Sequence, residues 1–263
     1  MNALQKLPLT NPFSIANGIV VDGEDYWSGT YYNPKVITGN GDITVTANGG
    51  IDITNANGFS VAGGIIEKGT GDIKAEAIGG INSYDVWAQG IYAEAGAVVT
   101  KRNGNITAIA QGGELTTTYG VRNYDSTVNL DVVNISVVSV NDGNNTPIVY
   151  GIYAEGNDAE VNMQGGSITA QVNNADGITD DNNNDSYAIF GYDSSVVNIN
   201  QGTTNNVVIR GDIKTGRNAA VYLNLNTADS ILTGSIEDEN GTLNLENDVS
   251  WIATGYSEVN KLT

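Results

Sequence analysis

Short stretches of alternating apolar and polar residues recur along the chain, and each begins with a glycine, a polar residue and an isoleucine. The clearest copies are residues 41–47 (GDITVTA), 71–77 (GDIKAEA) and 104–110 (GNITAIA), with looser copies at 166–170 and 211–214. Alternation with a period of two places the apolar side chains on one face of a strand. The pattern therefore predicts short β-strands that each bury one face.

Two further units recur with a similar spacing. One has a small residue, an apolar residue and usually an aromatic residue, and it is found at 90–93, 120–123, 151–154, 188–191 and 220–223. The other is rich in valine and asparagine, and it follows at 97–99, 126–130, 159–163, 195–199 and 230–232. A single set of three strands cannot bury its apolar face, so sets that recur about every 30 residues must stack. We therefore predict an all-β fold, a right-handed parallel β-helix with three strands per rung, about eight rungs and a length of about 40 Å.

The spacing divides the chain into two parts. Residues 1–38 do not fit the repeat, and they carry three of the four prolines and the aromatic residues Tyr26, Trp27, Tyr31 and Tyr32, so we interpret them as an N-terminal cap. Residues 39–263 form the predicted solenoid. Within it, a longer spacing of 37 residues coincides with an Asp- and Asn-rich segment near 173–185. We interpret that segment as a polar loop that protrudes from a turn.

Composition and charge exclude several classes of partner. Thirty acidic residues against 11 basic ones give a net charge of −19, with no histidine and no cysteine. Such a surface repels phosphate backbones, so we expect no nucleic-acid partner. No apolar run is long enough for a membrane-spanning helix, so we expect no membrane insertion. Residues 1–11 lack the features of an intact signal peptide, and we expect any export signal to have preceded Met1.

The same absences bear on catalysis and cofactors. A Ser-His-Asp triad and an HExxH zinc motif both need histidine, and no Gly-x-Ser-x-Gly elbow or phosphate loop occurs. We therefore predict that the chain is not an enzyme and uses no cofactor. Four Asp and three consecutive Asn residues lie between Asp176 and Asp185, and their oxygens suit Ca²⁺, but the spacing of an EF-hand is missing. We interpret this segment as a solvated loop with no metal site.

Aligning the second unit places outward side chains in two columns. The first contains Tyr92, Arg122, Tyr153, Phe190 and Tyr222, and the second, two residues further along, contains Glu94, Tyr124, Glu155, Tyr192 and Asn224. Arg122 would then lie one rung from both Glu94 and Glu155 and keep both carboxylates ionised, which does not suit the general acid of a glycosidase. Two interpretations stay open. The columns are either a surface ladder with cross-rung ion pairs and cation–π contacts, or a strip that binds carbohydrate or protein.

Arg210, Gly211 and Asp212 spell the tripeptide that integrins recognise. Integrin binding needs the tripeptide on an exposed loop, whereas this copy is predicted to enter a strand. Gly-Asp-Ile also occurs at Gly41 and Gly71 without the arginine, as part of the repeat. We therefore interpret the tripeptide mainly as a repeat signature and keep host-cell adhesion through it as the alternative.

The segment 241–262 reads GTLNLENDVSWIATGYSEVNKL. It resembles the pattern near the end of bacterial autotransporter passenger domains of the pertactin-like group, in which Ser/Thr-Trp precedes Thr-Gly-x-Ser-x-Val-x-x-Leu. The Gly-, Asn- and Thr-rich repeats are also similar to those passengers, which are usually poor in cysteine. The resemblance implies a secreted passenger of a Gram-negative bacterium, anchored in the outer membrane by a C-terminal barrel that this sequence does not include.

The resemblance also implies a function in adhesion, self-association or biofilm formation, with other copies of the chain or a host-cell surface protein or glycan as partners. We therefore predict an extracellular adhesin on the bacterial cell surface. Two other functions stay open. One is a β-helix that binds or cleaves polysaccharide, and cleavage would need carboxylates that converge across adjacent rungs. The other is a structural stalk that holds another domain away from the cell.

Overall fold

The computed structural model describes residues 12–25, 30–31, 34–80, 83–142, 146–174, 176, 186–247 and 249–263. No helix among these residues has the length and apolar character that a membrane span needs. The described residues form 24 strands: β1 Phe13–Asp22, β2 Glu24–Asp25, β3 Thr30–Tyr31, β4 Lys35–Thr38, β5 Ile43–Asn48, β6 Ile53–Ala62, β7 Ile65–Lys68, β8 Ile73–Ile78, β9 Asp85–Glu94, β10 Val98–Lys101, β11 Gly104–Gln111, β12 Leu115–Tyr124, β13 Thr127–Asn141, β14 Thr146–Glu155, β15 Glu160–Asn174, β16 Ser186–Tyr192, β17 Val196–Ile199, β18 Val207–Arg210, β19 Asp212–Thr215, β20 Ala220–Leu225, β21 Ile231–Thr233, β22 Ile236–Leu245, β23 Ser250–Ile252 and β24 Glu258–Leu262.

Parallel pairing stacks 22 of these strands into three faces. Face A comprises β1, β6, β9, β12, β14, β16 and β19, followed by the beginnings of β22 and β24. Face B comprises β4, β7, β10, the beginnings of β13 and β15, β17, β20 and the ends of β22 and β24. Face C comprises β5, β8, β11, the ends of β13 and β15, β18, β21 and β23. The predicted parallel β-helix with three strands per rung is therefore confirmed.

The rungs differ in length, and the differences decide which outward side chains lie side by side. Residues paired in one column of face A are Ile19, Phe59, Ile91, Val121, Ile152, Ile189, Ile213 and Ile236. Their successive separations are 40, 32, 30, 31, 37, 24 and 23 residues. The period of about 30 residues therefore holds in the middle of the solenoid, whereas the last rungs are shorter. The turns absorb the difference, because the strands of neighbouring rungs keep a common register while the connections between them vary in length.

The core is a stack of aliphatic columns. From Phe59 to Ile236, every member of the face A column named above is between 0% and 2% exposed. The residue before this column is a glycine in the first five rungs, and we call this set the glycine line: Gly18, Gly58, Gly90, Gly120 and Gly151. A Cβ atom at Gly120 would lie 2.5 Å from the carbonyl oxygen of Gly151 and would also collide with the side chain of Ile135. Glycine is therefore required here by the close approach of the next rung.

The predicted N-terminal cap is wrong in its extent. β1 pairs in parallel with β6 from Phe13 to Asp22, and β4 pairs with β7, so the first rung begins at residue 13. β1 has the strand alternation and a central glycine, Gly18. It does not match the repeat units, because it has no Gly-polar-Ile start and no aromatic residue after its glycine. Tyr31 lies in the two-stranded antiparallel pair β2–β3. Tyr26, Trp27 and Tyr32 lie outside the described residues, as do most of the predicted loop (residues 177–185) and residues 1–11.

Two lysines lie in the interior at the corner between faces B and C. Lys68 is 1% exposed and Lys101 is 0% exposed, and the two are neighbours in the register of β7 and β10. The Lys68 Nζ donates hydrogen bonds to the carbonyl oxygens of Gly39, Gly41 and Thr70 at 2.9, 2.8 and 2.6 Å. The Lys101 Nζ donates to three backbone carbonyls in the same way. Each ammonium therefore closes a turn by donating hydrogen bonds to carbonyls that lie outside the strands.

Candidate functional site

The outer surface of face A carries a continuous set of aromatic side chains, which we call the aromatic strip. It extends over four successive rungs through β9, β12, β14 and β16. Its members are Trp87, Tyr92, Tyr119, Tyr124, Tyr150, Tyr153, Tyr187, Phe190 and Tyr192. All nine are partly buried. The tyrosines and Phe190 contact one another, and Trp87 contacts Arg122.

The first predicted column is confirmed except at its last member. Tyr92 pairs with Arg122, Arg122 with Tyr153, and Tyr153 with Phe190. Phe190 is then followed by Lys214, and Tyr222 lies instead on face B beside Asn198. The assignment of Tyr222 was wrong because it assumed a full-length rung, whereas the next strand of face A begins only 20 residues after Tyr192, at Asp212.

The second predicted column shows the same outcome. Tyr124 pairs with Glu155, and Glu155 pairs with Tyr192, as expected. Glu94 lies at the equivalent position of β9, beside Ala62 of the preceding rung. Asn224 was placed wrongly for the same reason as Tyr222, since it lies on face B and pairs with Asn244.

A third column of the strip was missed by the sequence analysis. Tyr119 stacks on Tyr150 with ring centroids 5.2 Å apart and planes at 12°, and Tyr150 stacks on Tyr187 at 5.6 Å and 15°. The signal was present, because each tyrosine directly precedes the small residue of the second repeat unit. Tyr150 also contacts Tyr153 of the first column edge-to-face at 5.1 Å, although the two are three residues apart. The first and third columns therefore meet above the glycine that lies between them, Gly151.

Arg122 lies among four aromatic rings at one end of the strip. Its guanidinium carbon is 5.4 Å from the ring centroid of Trp87, 5.4 Å from Tyr92, 4.9 Å from Tyr119 and 5.0 Å from Tyr124. It donates a hydrogen bond to the Tyr124 hydroxyl at 2.9 Å and a longer one to Gln89 Oε1 at 3.4 Å. The cation–π contact expected from the sequence is therefore confirmed.

The ion pairs expected between Arg122 and the two glutamates are absent. All salt bridges within the described ranges involve other residues. Glu94 instead accepts a hydrogen bond from the Tyr92 hydroxyl, and Glu155 accepts one from the Tyr153 hydroxyl at 2.7 Å. The prediction failed because outward residues two apart on one strand are close neighbours, so each tyrosine reaches its own glutamate while the arginine turns toward the rings.

The environment raises the pKa of three phenols of the strip. Burial, together with the hydrogen bond to Glu94, raises the pKa of Tyr92 well above its usual range, and burial with the hydrogen bond to Glu155 does the same for Tyr153. Burial raises the pKa of Tyr119 to about 12. Tyr92, Tyr119 and Tyr153 therefore present neutral phenol groups at any physiological pH, and two of these phenols already donate to carboxylates.

A cleft of about 790 Å³ borders the C-terminal end of the strip, and Tyr187 lines it. Arg210, Gly211 and Asp212 also line it, at the corner where β18 ends and β19 begins. The Asp212 carboxylate accepts a hydrogen bond from the backbone N–H of Ser235 at 2.8 Å, so it helps to hold the next rung in place. The tripeptide thus lies between two strands rather than on a projecting loop, which agrees with its interpretation as a repeat signature.

Within the described ranges, no group of three or more acidic residues is arranged to hold a metal ion. The Asp- and Asn-rich segment lies mostly outside them, so its interpretation as a solvated loop stays a prediction. In comparisons with known proteins, no family model matches this chain, and neither does any curated protein or solved structure. Its function must therefore be argued from the β-helix and its outer surface.

Proposed function

We propose that this chain is a surface-displayed adhesive protein that contacts its partner along the aromatic strip of face A. The observation that carries the proposal is the concentration of aromatic side chains. The chain has 3 Trp, 13 Tyr and 3 Phe, and nine of these residues lie outward on four neighbouring rungs. Aromatic side chains, with a large apolar body and a polar tip, are typical of the energetically dominant part of protein interfaces.

Folding alone does not account for these residues. The interior is already filled by aliphatic columns such as Ile91, Val121 and Ile152, which are fully buried. Equivalent outward positions on face B hold asparagines, in which Asn162 donates to Asn129 at 3.1 Å and Asn198 donates to Asn162 at 2.9 Å. An asparagine ladder satisfies a solvated rung without exposing apolar surface. Aromatic residues on face A therefore point to a contact surface.

The strip is also held rigid before any partner binds. Tyr153 stacks on Phe190 at 5.5 Å with planes at 4°, and Tyr150 contacts Phe190 edge-to-face at 5.5 Å. Because neighbouring rings already restrict each other, binding costs little additional side-chain entropy. Display on the bacterial surface is supported by the resemblance of residues 241–262 to the end of autotransporter passengers.

Charge distinguishes the two kinds of partner that such an adhesin would bind. Two copies of a chain with net charge −19 repel one another, so self-association through the strip should strengthen as salt screens the repulsion. Attachment to an uncharged partner should depend little on salt. A salt series in a sedimentation assay and in a cell-binding assay therefore separates self-association from attachment to another surface.

The proposal is tested with purified chain added to bacterial and host cells, with aggregation and bound protein both measured. Replacing Tyr92 and Tyr153 with alanine should reduce binding or aggregation at least tenfold, with an unchanged circular dichroism spectrum. Tyr222→Ala is the matched control, because Tyr222 is a partly buried outward tyrosine on face B. Wild-type binding by the Tyr92/Tyr153 double variant, or a chain that binds neither itself nor cells, would exclude the strip as the adhesive surface.

A further inference from the structure

The cleft beside Tyr187 exists because one rung is longer than the next. β15 pairs with β18 only from Gly166 to Thr169, and its last partner is Arg210. Beyond Thr169, β15 continues to Asn174, and no described strand stacks on that continuation on the side of β18. The overhang forms one wall of the cleft through Ala170, Gln171 and Val172. The shorter rungs that follow form the floor and the opposite wall.

The lining of the cleft has a mixed and electrically balanced chemistry. Two basic side chains, Arg210 and Lys214, lie with two acidic ones, Asp212 and Glu237. Lys214 forms an ion pair with Glu237 at 2.8 Å, whereas Arg210 is exposed and has no ion-pair partner among the described residues. The cleft is therefore close to neutral in a chain whose net charge is −19.

Aromatic and hydroxyl groups complete the lining. Tyr256 is 74% exposed and its hydroxyl donates to Glu258 at 2.9 Å, and Tyr187 brings the end of the strip to the rim. Serine and threonine side chains also line the walls, with Ser186 and Ser235 among them. The overhanging edge of β15 adds backbone groups that a neighbouring strand would otherwise pair.

We propose that this cleft binds a neutral oligosaccharide. A sugar needs closely spaced donors and acceptors for its hydroxyls and an aromatic surface for its apolar face, and this lining offers both. The volume of about 790 Å³ falls in the range of clefts that bind small ligands. Lack of net positive charge disfavours an acidic glycan, which the charge of the whole chain would also repel. The presence of Arg210 and Lys214 disfavours a metal cation.

This site is separate from the strip, although the two meet at Tyr187, and it would give an adhesive surface a specific carbohydrate ligand. The cleft could bind a sugar even if the strip binds nothing, because Arg210 and Tyr256 lie outside the strip. Variants of these two residues therefore report on the cleft alone.

The test is binding of the purified chain to an array that carries both neutral and anionic glycans. Wild-type chain should bind at least one neutral glycan. The Arg210→Ala/Tyr256→Ala variant should bind it at least tenfold more weakly, and Tyr222→Ala should bind normally. Circular dichroism checks that each variant is folded.

Three results would overturn the proposal: no neutral glycan bound, binding confined to anionic glycans, or neutral binding that the Arg210/Tyr256 variant retains. Loss of neutral binding in the Tyr92/Tyr153 variant but not in the cleft variant would assign the glycan to the strip, so the cleft proposal would fail while the adhesive function stood. The opposite result is also distinguishable. If the Arg210/Tyr256 variant loses glycan binding while the Tyr92/Tyr153 variant still binds cells, the cleft proposal stands and the adhesive function of the strip fails.

Discussion

Replacement of Lys101 by methionine tests whether the buried ammonium holds its turn together. Methionine keeps most of the length and volume of the aliphatic chain but cannot donate a hydrogen bond. The Lys101 Nζ donates to the carbonyl oxygens of Gly71, Arg102 and Asn103 at 2.8, 3.2 and 3.1 Å, and the residue is 0% exposed. The variant therefore leaves three carbonyls of a tight corner without this donor.

The expected loss combines two opposing contributions. Hydrogen bonds to a charged donor contribute about 1.5–3 kcal/mol each, whereas removing a buried charge recovers several kcal/mol of desolvation free energy. We expect a net loss of about 3 kcal/mol in the free energy of unfolding at pH 7, because each carbonyl left without a donor costs about 1–3 kcal/mol and the recovered desolvation free energy offsets only part of this loss. Urea unfolding followed by circular dichroism measures it.

The same lysine predicts a pH dependence. Burial, with a smaller contribution from Lys68, lowers the pKa of Lys101 from 10.5 to about 8, while Asp72 and Asp42 oppose this effect. Between these two values the unfolded chain binds more protons than the folded chain, so the free energy of unfolding rises with pH. The stability gained by deprotonation of Lys101 is therefore complete above pH 10.5, and it is lost as the pH falls through 8. From pH 7 to 9.5 the wild type should gain about 2 kcal/mol relative to Lys101→Met.

The range stops at pH 9.5 because the raised pKa values of Tyr92, Tyr119 and Tyr153 lower the stability above pH 10. Equal stability of the two proteins at pH 7 would refute the structural role of the ammonium. A difference between them that stays constant from pH 7 to 9.5 would refute the lowered pKa.

Two further substitutions test the glycine line and the arginine of the strip. Gly120→Ala should reduce the free energy of unfolding by about 2–3 kcal/mol, because the added Cβ overlaps Gly151 and Ile135. Gly41→Ala is the control and should be nearly neutral, because nothing lies within 4 Å of its added Cβ. Equal losses in the two variants would contradict the packing argument. Arg122→Met should cost about 1–2 kcal/mol through lost cation–π contacts and should alter the near-ultraviolet circular dichroism of the tyrosines. The exposed Arg102→Met is its control, and an unchanged tyrosine spectrum in Arg122→Met would show that the arginine does not order the rings.

Sequence periodicity predicted the outward columns of face A correctly only where successive rungs have similar lengths. Tyr92, Arg122 and Tyr153 are separated by 30 and 31 residues, and counting residues placed them in one column correctly. The 37-residue step to Phe190 was also assigned correctly, because the aromatic unit itself is recognisable there. Tyr222 has the same local pattern and a plausible spacing, yet it lies on another face. Local pattern identifies a strand of a rung, but it does not identify the face on which the strand lies.

The parallel β-helix could be predicted from the residue pattern, because alternation sets which side chains point inward and small residues mark where rungs approach closely. Three features follow from the folded arrangement alone: β1 and β4 belong to the first rung, Arg122 turns toward four rings instead of Glu94 and Glu155, and a cleft opens beside Tyr187. The physical reason is the same in each case. Hydrogen bonds fix the register between stacked strands, whereas turns change length freely, so the neighbours of an outward side chain depend on the lengths of turns that no local pattern encodes.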